Sequence, residues 1–361
     1  MVIRGCPLAA LVRPQFWKGK RVLLTGHTGF KGSWLSIWLQ QMGAEVFGFS
    51  LPAEETSLFN QGDVAKLVKS YFLDVTVTES VIETFKQVQP DILIHMAAQS
   101  LVGRSYREPI NTFSTNVMGT VNVLEAARQF QTKACVIVTT DKCYLDNKKG
   151  IPHVETDPLG GHDPYSSSKA CAELVTKSYH DSFFSNNPSI FCASARAGNV
   201  IGGGDWCENR LVPDIIRSWL AQKDLTLRSP ESVRPWQHVL EPLSGYLVLA
   251  QDLFANGEPA QGAWNFSPVE ESHRSTAWIA RQLKTKLPGA QFNILESPES
   301  KSFHETNILK LDSSKAQTYL GWKPKWSIEQ TLGKVSDWYI TYRENADLQD
   351  ACRSQIEEYI S

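Results

Sequence analysis

Two short runs of side chains carry most of the chemistry in this sequence. Tyr165-Ser166-Ser167-Ser168-Lys169 opens an apolar-patterned stretch. Residues four apart share a face of a helix, so the Lys169 ammonium lies near the Tyr165 phenol. A phenol whose ordinary pKa is about 10 is a poor base at neutral pH, and a neighbouring cation favours its phenolate. The same spacing also arises on surface helices, where the pair has no chemical task. The second run, Thr139-Thr140-Asp141-Lys142-Cys143-Tyr144, comes directly after the apolar Cys135 to Val138. A polar, charged cluster at the carboxyl end of a sheet strand is where parallel sheets hold their active sites. The plain alternative is a capped strand end, with Asp141 satisfying loop N–H groups.

A third run, Val22-Leu23-Leu24-Thr25-Gly26-His27-Thr28-Gly29-Phe30-Lys31-Gly32, sets three glycines between an apolar strand and a helix beginning near Ser33. The first glycine permits a tight turn, the later ones permit close approach and helix packing, and the helix N-terminus supplies partial positive charge for a pyrophosphate. The spacing is one residue longer than the G-x-G-x-x-G dinucleotide fingerprint, and an ordinary glycine turn is the alternative. A bound nicotinamide cofactor would add its own positive charge to the field favouring a Tyr165 phenolate. The second strand ends Gly48-Phe49-Ser50-Leu51, with neither the acid that marks an NAD site nor an Arg that marks an NADP site, and Glu54 and Glu55 come slightly late. Ser50 either hydrogen-bonds the adenosine ribose or is a strand-end turn residue.

Positioning these runs requires a particular frame. Short β-branched runs at Arg21 to Leu24, Val46 to Phe49, Tyr71 to Leu73, Ile92 to His95 and Cys135 to Val138 alternate with helical stretches, the pattern of a parallel sheet wound with helices on both faces. After Tyr165 the pattern predicts a helix to about Phe184 and a buried strand from Ile190 to Ala195. Regularity breaks at Gly202-Gly203-Gly204, and Pro213, Pro230, Pro235, Pro242 and Pro268 punctuate the short elements beyond it. The expected fold is therefore α/β, a Rossmann-type doubly wound parallel sheet over residues 17–197. Residues 198–361 form mainly a smaller C-terminal substrate-binding lobe, with some segments returning to the first domain. Residues 1–16 read as a poorly ordered tail, with a signal peptide as the weaker alternative because the apolar patch is short.

With 36 Lys+Arg against 38 Asp+Glu, the net charge of −2 excludes nucleic-acid binding through bulk charge. No apolar run approaches the length of a membrane span. Seven scattered cysteines without a C-x-x-C pair argue against a disulfide framework or a zinc site, so no metal is expected and a reducing cytoplasm fits.

Taken together and in order, Gly26-x-x-Gly29-x-x-Gly32, Asp74-Val75, His95-Met96-Ala97-Ala98-Gln99-Ser100, Asn116-x-x-Gly119-Thr120, Tyr165-x-x-x-Lys169 and Arg196-Ala197-Gly198-Asn199-Val200-Ile201-Gly202 resemble the extended short-chain dehydrogenases/reductases that act on nucleotide sugars. Thr140-Asp141 resembles the 4,6-dehydratases among them. Gly198 to Trp206 with Arg210 to Asp214, and Arg234 to Tyr246, resemble the branch acting on CDP-glucose. The resemblance implies NAD as cofactor, with Gly26, Thr28, Gly29, Phe30 and Gly32 at the pyrophosphate. It assigns Ser50 to the ribose, Asp74 and Val75 to the adenine, and Ala97, Ala98, Gln99, Asn116 and Thr139 to the cofactor wall. Tyr165 and Lys169 would serve oxidation at C4, assisted by Thr140, and Asp141 and Lys142 would serve elimination. Asn199, Arg210 and Arg234 would hold the diphosphate, with Ser100, Arg104, Leu211 and Val212 lining the substrate and His304 near the nucleotide end. Arginine suits diphosphate because its planar fork binds phosphate oxygens bidentately.

The implied reaction converts CDP-D-glucose to CDP-4-keto-6-deoxy-D-glucose and water, a step of deoxysugar and lipopolysaccharide O-antigen synthesis. Lys142 departs from the dTDP-glucose relatives, which carry a Glu there to take the C5 proton; either a neutral Lys142 is the base or another group replaces it. Rival readings are an epimerase, a decarboxylase or a dehydratase acting on another nucleotide sugar, and a catalytically silent NAD(P)-binding sensor. Apolar residues on more than one face of the helices near Val117 to Arg128 and after Tyr165, including Val121, Val123, Leu124, Leu174, Val175 and Tyr179, predict a homodimer or tetramer.

Overall fold

The computed structural model describes residues 11–146, 150–187, 189–296 and 309–361. Its centre is a seven-stranded sheet. The strands are β1 (Arg21–Thr25), β2 (Glu45–Ser50), β3 (Lys69–Phe72), β4 (Ile92–His95), β5 (Ala134–Val138), β6 (Phe191–Ala197) and β7 (Gly262–Phe266). Their spatial order is β7-β6-β5-β4-β1-β2-β3, and every pairing is parallel. The chain order reverses between β1 and β4, and that reversal opens a crevice at the carboxyl ends of the strands.

Alternation along each strand explains why both faces are covered. Val22, Leu24, Ile92, Ile94, Val136 and Val138 pack to one side with Trp34, Trp38, Leu243 and Leu247. Leu23, Leu93, Cys135, Ile137 and Cys192 pack to the other with Phe85, Val123 and Leu124. Side chains alternate with period two, so a strand covered on both faces must be apolar at every position. Four helices matter for the site: α1 (Phe30–Gln41), α2 (Gly119–Gln129), α3 (Pro164–Tyr179) and α4 (Leu240–Asn256). Helix α3 starts where it does because Pro164 needs no backbone donor in the first turn and Asp163 caps it, accepting from the Ser166 N–H at 3.0 Å.

The 198–361 stretch is not confined to a separate body. It supplies β7 at the sheet edge, and α4 packs against β5 and β6. It also builds three two-stranded pairs: Val200–Ile201 with Gln237–His238, Val233–Pro235 with His273–Ser275, and Leu225–Leu227 with Ile294–Glu296. The glycine run at 202–204 is a tight joint. A Cβ on Gly203 would stand 2.0 Å from Trp338 Cγ, and the Gly203 carbonyl accepts from Trp34 Nε1 at 2.9 Å.

Three expectations are corrected. Residues 11–16, read as tail, are docked on α4: the Arg13 N–H and the Trp17 indole donate to Gln251 Oε1 at 2.7 and 3.0 Å, and Gln251 Nε2 donates to the Leu11 carbonyl. Residues 1–10 lie outside the described residues. The third strand begins at Lys69 and stops before Leu73, because the chain turns at Asp74, whose Oδ1 accepts from the Thr76 N–H at 2.9 Å. Val123 and Leu124 sit in this chain's own core, whereas Leu174 is 57% exposed and Met118, Ile110 and Phe183 are exposed as well. Among the described residues no helix is long and apolar enough to cross a membrane.

Candidate active site

The glycine turn after β1 is shaped by backbone contact. Gly26 has φ +74°, and a Cβ there would meet Ala97 N at 2.8 Å; one on Gly32 would meet the Gly26 carbonyl oxygen at 2.1 Å. Gly29 is the N-cap of the 12-residue α1 and offers no side-chain cap, so first-turn N–H groups are left for a ligand. A glycine cradle at the N-terminus of a helix at the sheet reversal fits a dinucleotide pyrophosphate. Beside it, Thr28 Oγ1 lies 2.8 Å from Ser50 Oγ and donates to the Leu51 carbonyl at 3.0 Å. Phe30 packs on the core against Gly202. On the adenine side, Asp74 holds its turn, and Val75 is buried against Gly119, its carbonyl accepting from Asn122 Nδ2 at 2.9 Å.

The wall after β4 is braced onto α3. Ala97 donates its N–H to Thr25 Oγ1 at 3.1 Å, and Ala98 is half-buried. Asn116 Oδ1 accepts from the Gln99 N–H at 2.9 Å, while its Nδ2 donates to the Gln99 carbonyl at 3.0 Å and to Ser168 Oγ at 2.8 Å. One buried amide thus ties this wall to the helix that carries Tyr165 and Lys169.

The proton-handling groups converge at the carboxyl end of β5. The Thr140 hydroxyl donates to Asp141 Oδ1 at 2.9 Å and stands close enough to the Tyr165 phenol to favour its ionised form. Asp141 Oδ2 is buried and has no hydrogen-bond partner among the described residues. Burial raises the Asp141 pKa, opposed by Lys142, by the Thr140 hydrogen bond and by Arg234. Burial pushes the Tyr165 phenol up to about 12, with the Thr140 hydroxyl pulling the other way. Lys169 Nζ donates to the Val138 carbonyl at 3.1 Å; burial brings its pKa down to about 8 against the pull of Glu173. Arg234 is buried, donates to the Val233 carbonyl at 2.9 Å and is close enough to act on Asp141. Arg210 donates to Asp205 Oδ2 at 3.1 Å and to Ser100 Oγ at 3.2 Å, which brings Ser100 to the same mouth.

This geometry combines a Tyr/Lys pair with a neutral-leaning carboxyl group at the sheet reversal. The model of the GDP-mannose 4,6 dehydratase family matches residues 23–335. A CDP-glucose 4,6-dehydratase of Salmonella typhimurium is 45% identical, over 97% of this chain and 99% of that protein. This chain belongs to that family of nucleotide-sugar dehydratases. A more distant relative, the dTDP-glucose 4,6-dehydratase of Haemophilus influenzae, is 25% identical over 88% of this chain and 97% of that protein. Among solved structures, the UDP-glucose 4-epimerase of Thermus thermophilus in complex with NAD has a TM-score of 0.75 at 25% identity, covering 89% of this chain and 99% of that one. DesIV of Streptomyces venezuelae, a dTDP-glucose 4,6-dehydratase, has a TM-score of 0.76 at 23% identity, covering 91% and 99% of the two chains.

Within this dehydratase fold the residues singled out from sequence do not all converge. Arg104 is exposed and paired with Glu108 at 2.9 Å. Val212 is a core residue and Leu211 a half-buried one at the start of the Leu211–Ala221 helix, so their side chains serve packing. Asn199 accepts through its backbone carbonyl from the Gln237 N–H at 3.0 Å. His304 lies outside the described residues. Conversely, Lys31 has nothing in its local sequence to distinguish it from a loop lysine, yet it belongs to this site. Its Nζ donates to the Tyr246 hydroxyl at 3.2 Å, and burial with Arg210 and Lys169 nearby brings its pKa down to about 7, opposed by Asp141. Glu173 and Arg196 are further additions. For Glu173 a signal exists, since it stands one helical turn beyond Lys169, the spacing that also joins Tyr165 to Lys169.

Proposed function

We propose that this chain is an NAD-dependent 4,6-dehydratase that converts CDP-D-glucose to CDP-4-keto-6-deoxy-D-glucose and water. The observation that carries the choice is the buried, unpartnered Oδ2 of Asp141, linked through Thr140 to Tyr165. Oxidation at C4 needs a base; a carboxyl group whose environment favours the protonated form has a use only if a hydroxyl must leave. That is the difference between a dehydratase and an epimerase. The near full-length identity to the Salmonella CDP-glucose enzyme supports the substrate.

NAD, bound over the glycine turn, supplies the acceptor and later the donor of hydride. The rest is the work of side chains. Tyr165 takes the 4-OH proton, with the Lys169 ammonium stabilising its phenolate and the Thr140 hydroxyl bridging it to Asp141. The resulting ketone acidifies C5–H, and Lys142, half-buried beside Asp141, takes that proton when it is in its neutral amine form. Asp141 gives its proton to the departing 6-OH. Arg210 and Arg234 face the same mouth and suit a diphosphate.

Incubation with CDP-, dTDP-, UDP- and GDP-glucose tests the reading. A 4-ketosugar chromophore is expected with CDP-glucose; a C4-inverted sugar without loss of water would establish an epimerase instead. The exposed Ile110 and Met118 on the turns leading into α2, and Leu174 and Phe183 on α3 and just after it, support a homodimer through this face, and a monomeric sedimentation profile at micromolar concentration would exclude it. A reducing cytoplasm suits the six unpaired cysteines among the described residues.

A further inference from the structure

Behind the Tyr165/Lys169 pair lies a buried ion pair that the proposed reaction does not use. The Glu173 and Arg196 side chains are only 4% and 3% exposed. Arg196 donates from Nε to Glu173 Oε1 at 2.9 Å and from Nη2 to Oε2 at 2.7 Å. Ser194 Oγ donates to Oε2 at 2.6 Å, and the Thr139 hydroxyl donates to Oε1. The carboxylate is thus surrounded by donors, two of them from a guanidinium that can only donate. Arg196 Nη1 goes on to the Tyr144 hydroxyl at 2.6 Å, so the pair grips both ends of the Thr139 to Tyr144 turn. Burying two charges gains little stability over an apolar pair of the same size, so a function for this pair should be sought in what it touches.

One helical turn away on α3 is Lys169, whose Nζ donates to the Val138 carbonyl while Glu173 accepts from the next residue, Thr139, so the ammonium and the carboxylate meet at the same end of β5. The titratable groups acting on that ammonium are Glu173 from α3 itself, Lys31 from α1, His95 from β4 and Cys143 from the turn after β5. Lys31 is a second cation. His95 is pushed down to about 3, and so is neutral; the Cys143 thiol is pushed well up, and so is neutral too. Of these groups Glu173 is the only carboxylate. We infer that Glu173, clamped by Arg196, is a positioning residue that keeps Lys169 in its ammonium form and so sets the alkaline limit of the first proton transfer. Burial alone disfavours the ammonium, and Glu173 is the largest influence restoring it. A neutral Lys169 no longer stabilises the Tyr165 phenolate, so removing the anion must pull the alkaline limb of C4 oxidation to lower pH. The inference rests on the hydride-transfer reading of Tyr165 and Lys169, but the first of its two readouts does not.

The variant is Glu173→Gln, with two readouts. Side-chain NMR of isotope-labelled lysine, with Lys169→Met to assign the signal, follows the ammonium directly; its midpoint should fall by about one pH unit or more, the size expected for loss of a nearby opposite charge. Single-turnover NADH formation on CDP-glucose from pH 6 to 10 should lose its alkaline limb by a similar step. Ser194→Ala, which removes a donor but no charge, should leave the limb in place. An unmoved midpoint, or a rate lowered equally at every pH, overturns the inference in favour of a packing role. If Glu173→Gln does not fold, Glu173→Asp withdraws the anion by one methylene and should move the midpoint in the same direction by a smaller step; no movement is again a refutation. If the wild type forms NADH with no nucleotide sugar, the activity reading fails while the NMR titration still decides the role of Glu173.

Discussion

Thr140 turns its hydroxyl onto Asp141, Oγ1 to Oδ1 at 2.9 Å, and stands close enough to the Tyr165 phenol to favour its ionised form. A hydroxyl has one proton to give. If that proton turns to a Tyr165 phenolate, Asp141 must donate to Thr140 as a neutral acid. Deprotonating Tyr165 and keeping Asp141 protonated are therefore favoured together. On the proposed reaction, the base of the oxidation and the acid of the elimination would be coupled through this one threonine.

Replacing Asp141 separates the two half-reactions. Asp141→Asn keeps the hydrogen-bonding shape and loses the acidic proton. Enzyme-bound NADH should still form on adding CDP-glucose, whereas release of the 4-keto-6-deoxy product should fall by about 10²- to 10⁴-fold, the usual worth of a general acid. Rapid-scan absorbance at the NADH band and product chromatography check it; loss of NADH formation itself would assign Asp141 to oxidation.

Lys142→Met tests the C5 base. In deuterated buffer the variant should form NADH while solvent deuterium fails to enter C5 of the recovered sugar. Normal incorporation would show that Tyr144 or a bound water takes that proton in its place.

Arg234 is largely buried and near enough to Asp141 to lower its pKa. A diphosphate contact that does not change along the reaction binds ground and transition states alike, so on that reading Arg234→Ala should raise KM for CDP-glucose by about tenfold or more and change kcat by less. Steady-state kinetics decide: an unchanged KM removes Arg234 from the substrate site.

Three histidines make stability depend on pH. Burial lowers His27 to about 4, His95 to about 3 and His238 to about 3. Their unfolded value is about 6.5. Because the folded values are depressed, the folded protein gains from keeping them neutral above pH 6.5 and loses that advantage as pH falls below it. Each contributes up to about 1.4 kcal/mol per pH unit in that range. Urea unfolding should show stability dropping from pH 6.5 to 5.5, with a shallower slope in His95→Gln. A flat profile would mean that the histidines protonate without unfolding cost.

Local pattern makes the frame legible. Strands buried on both faces must be continuously apolar, and the runs at Arg21, Ile92 and Cys135 announce themselves for that reason. The glycine turn and Tyr165/Lys169 are equally readable, since a close backbone approach and a helical face are properties of short segments. Where local pattern misleads, a distant partner decides the matter. Residues 11–16 look like a tail until Gln251, more than 230 positions away, takes their hydrogen bonds. Val123 and Leu124 look available to a second subunit until Phe85 and Ile137 cover them.

The chemistry that short spacing carries is written in the chain itself: a pyrophosphate turn, a Tyr/Lys pair one helical turn apart, and an acid next to Thr140. Which other groups share that space is settled only by folding. Lys31 reaches Tyr246, Arg196 reaches Glu173, and Arg210 reaches Ser100 across 215, 23 and 110 positions. The cause is electrostatic. The ionisation of Tyr165, Lys169 and Asp141 is set by burial and by charges within a few ångströms, and sequence distance says nothing about either until the sheet has closed around them.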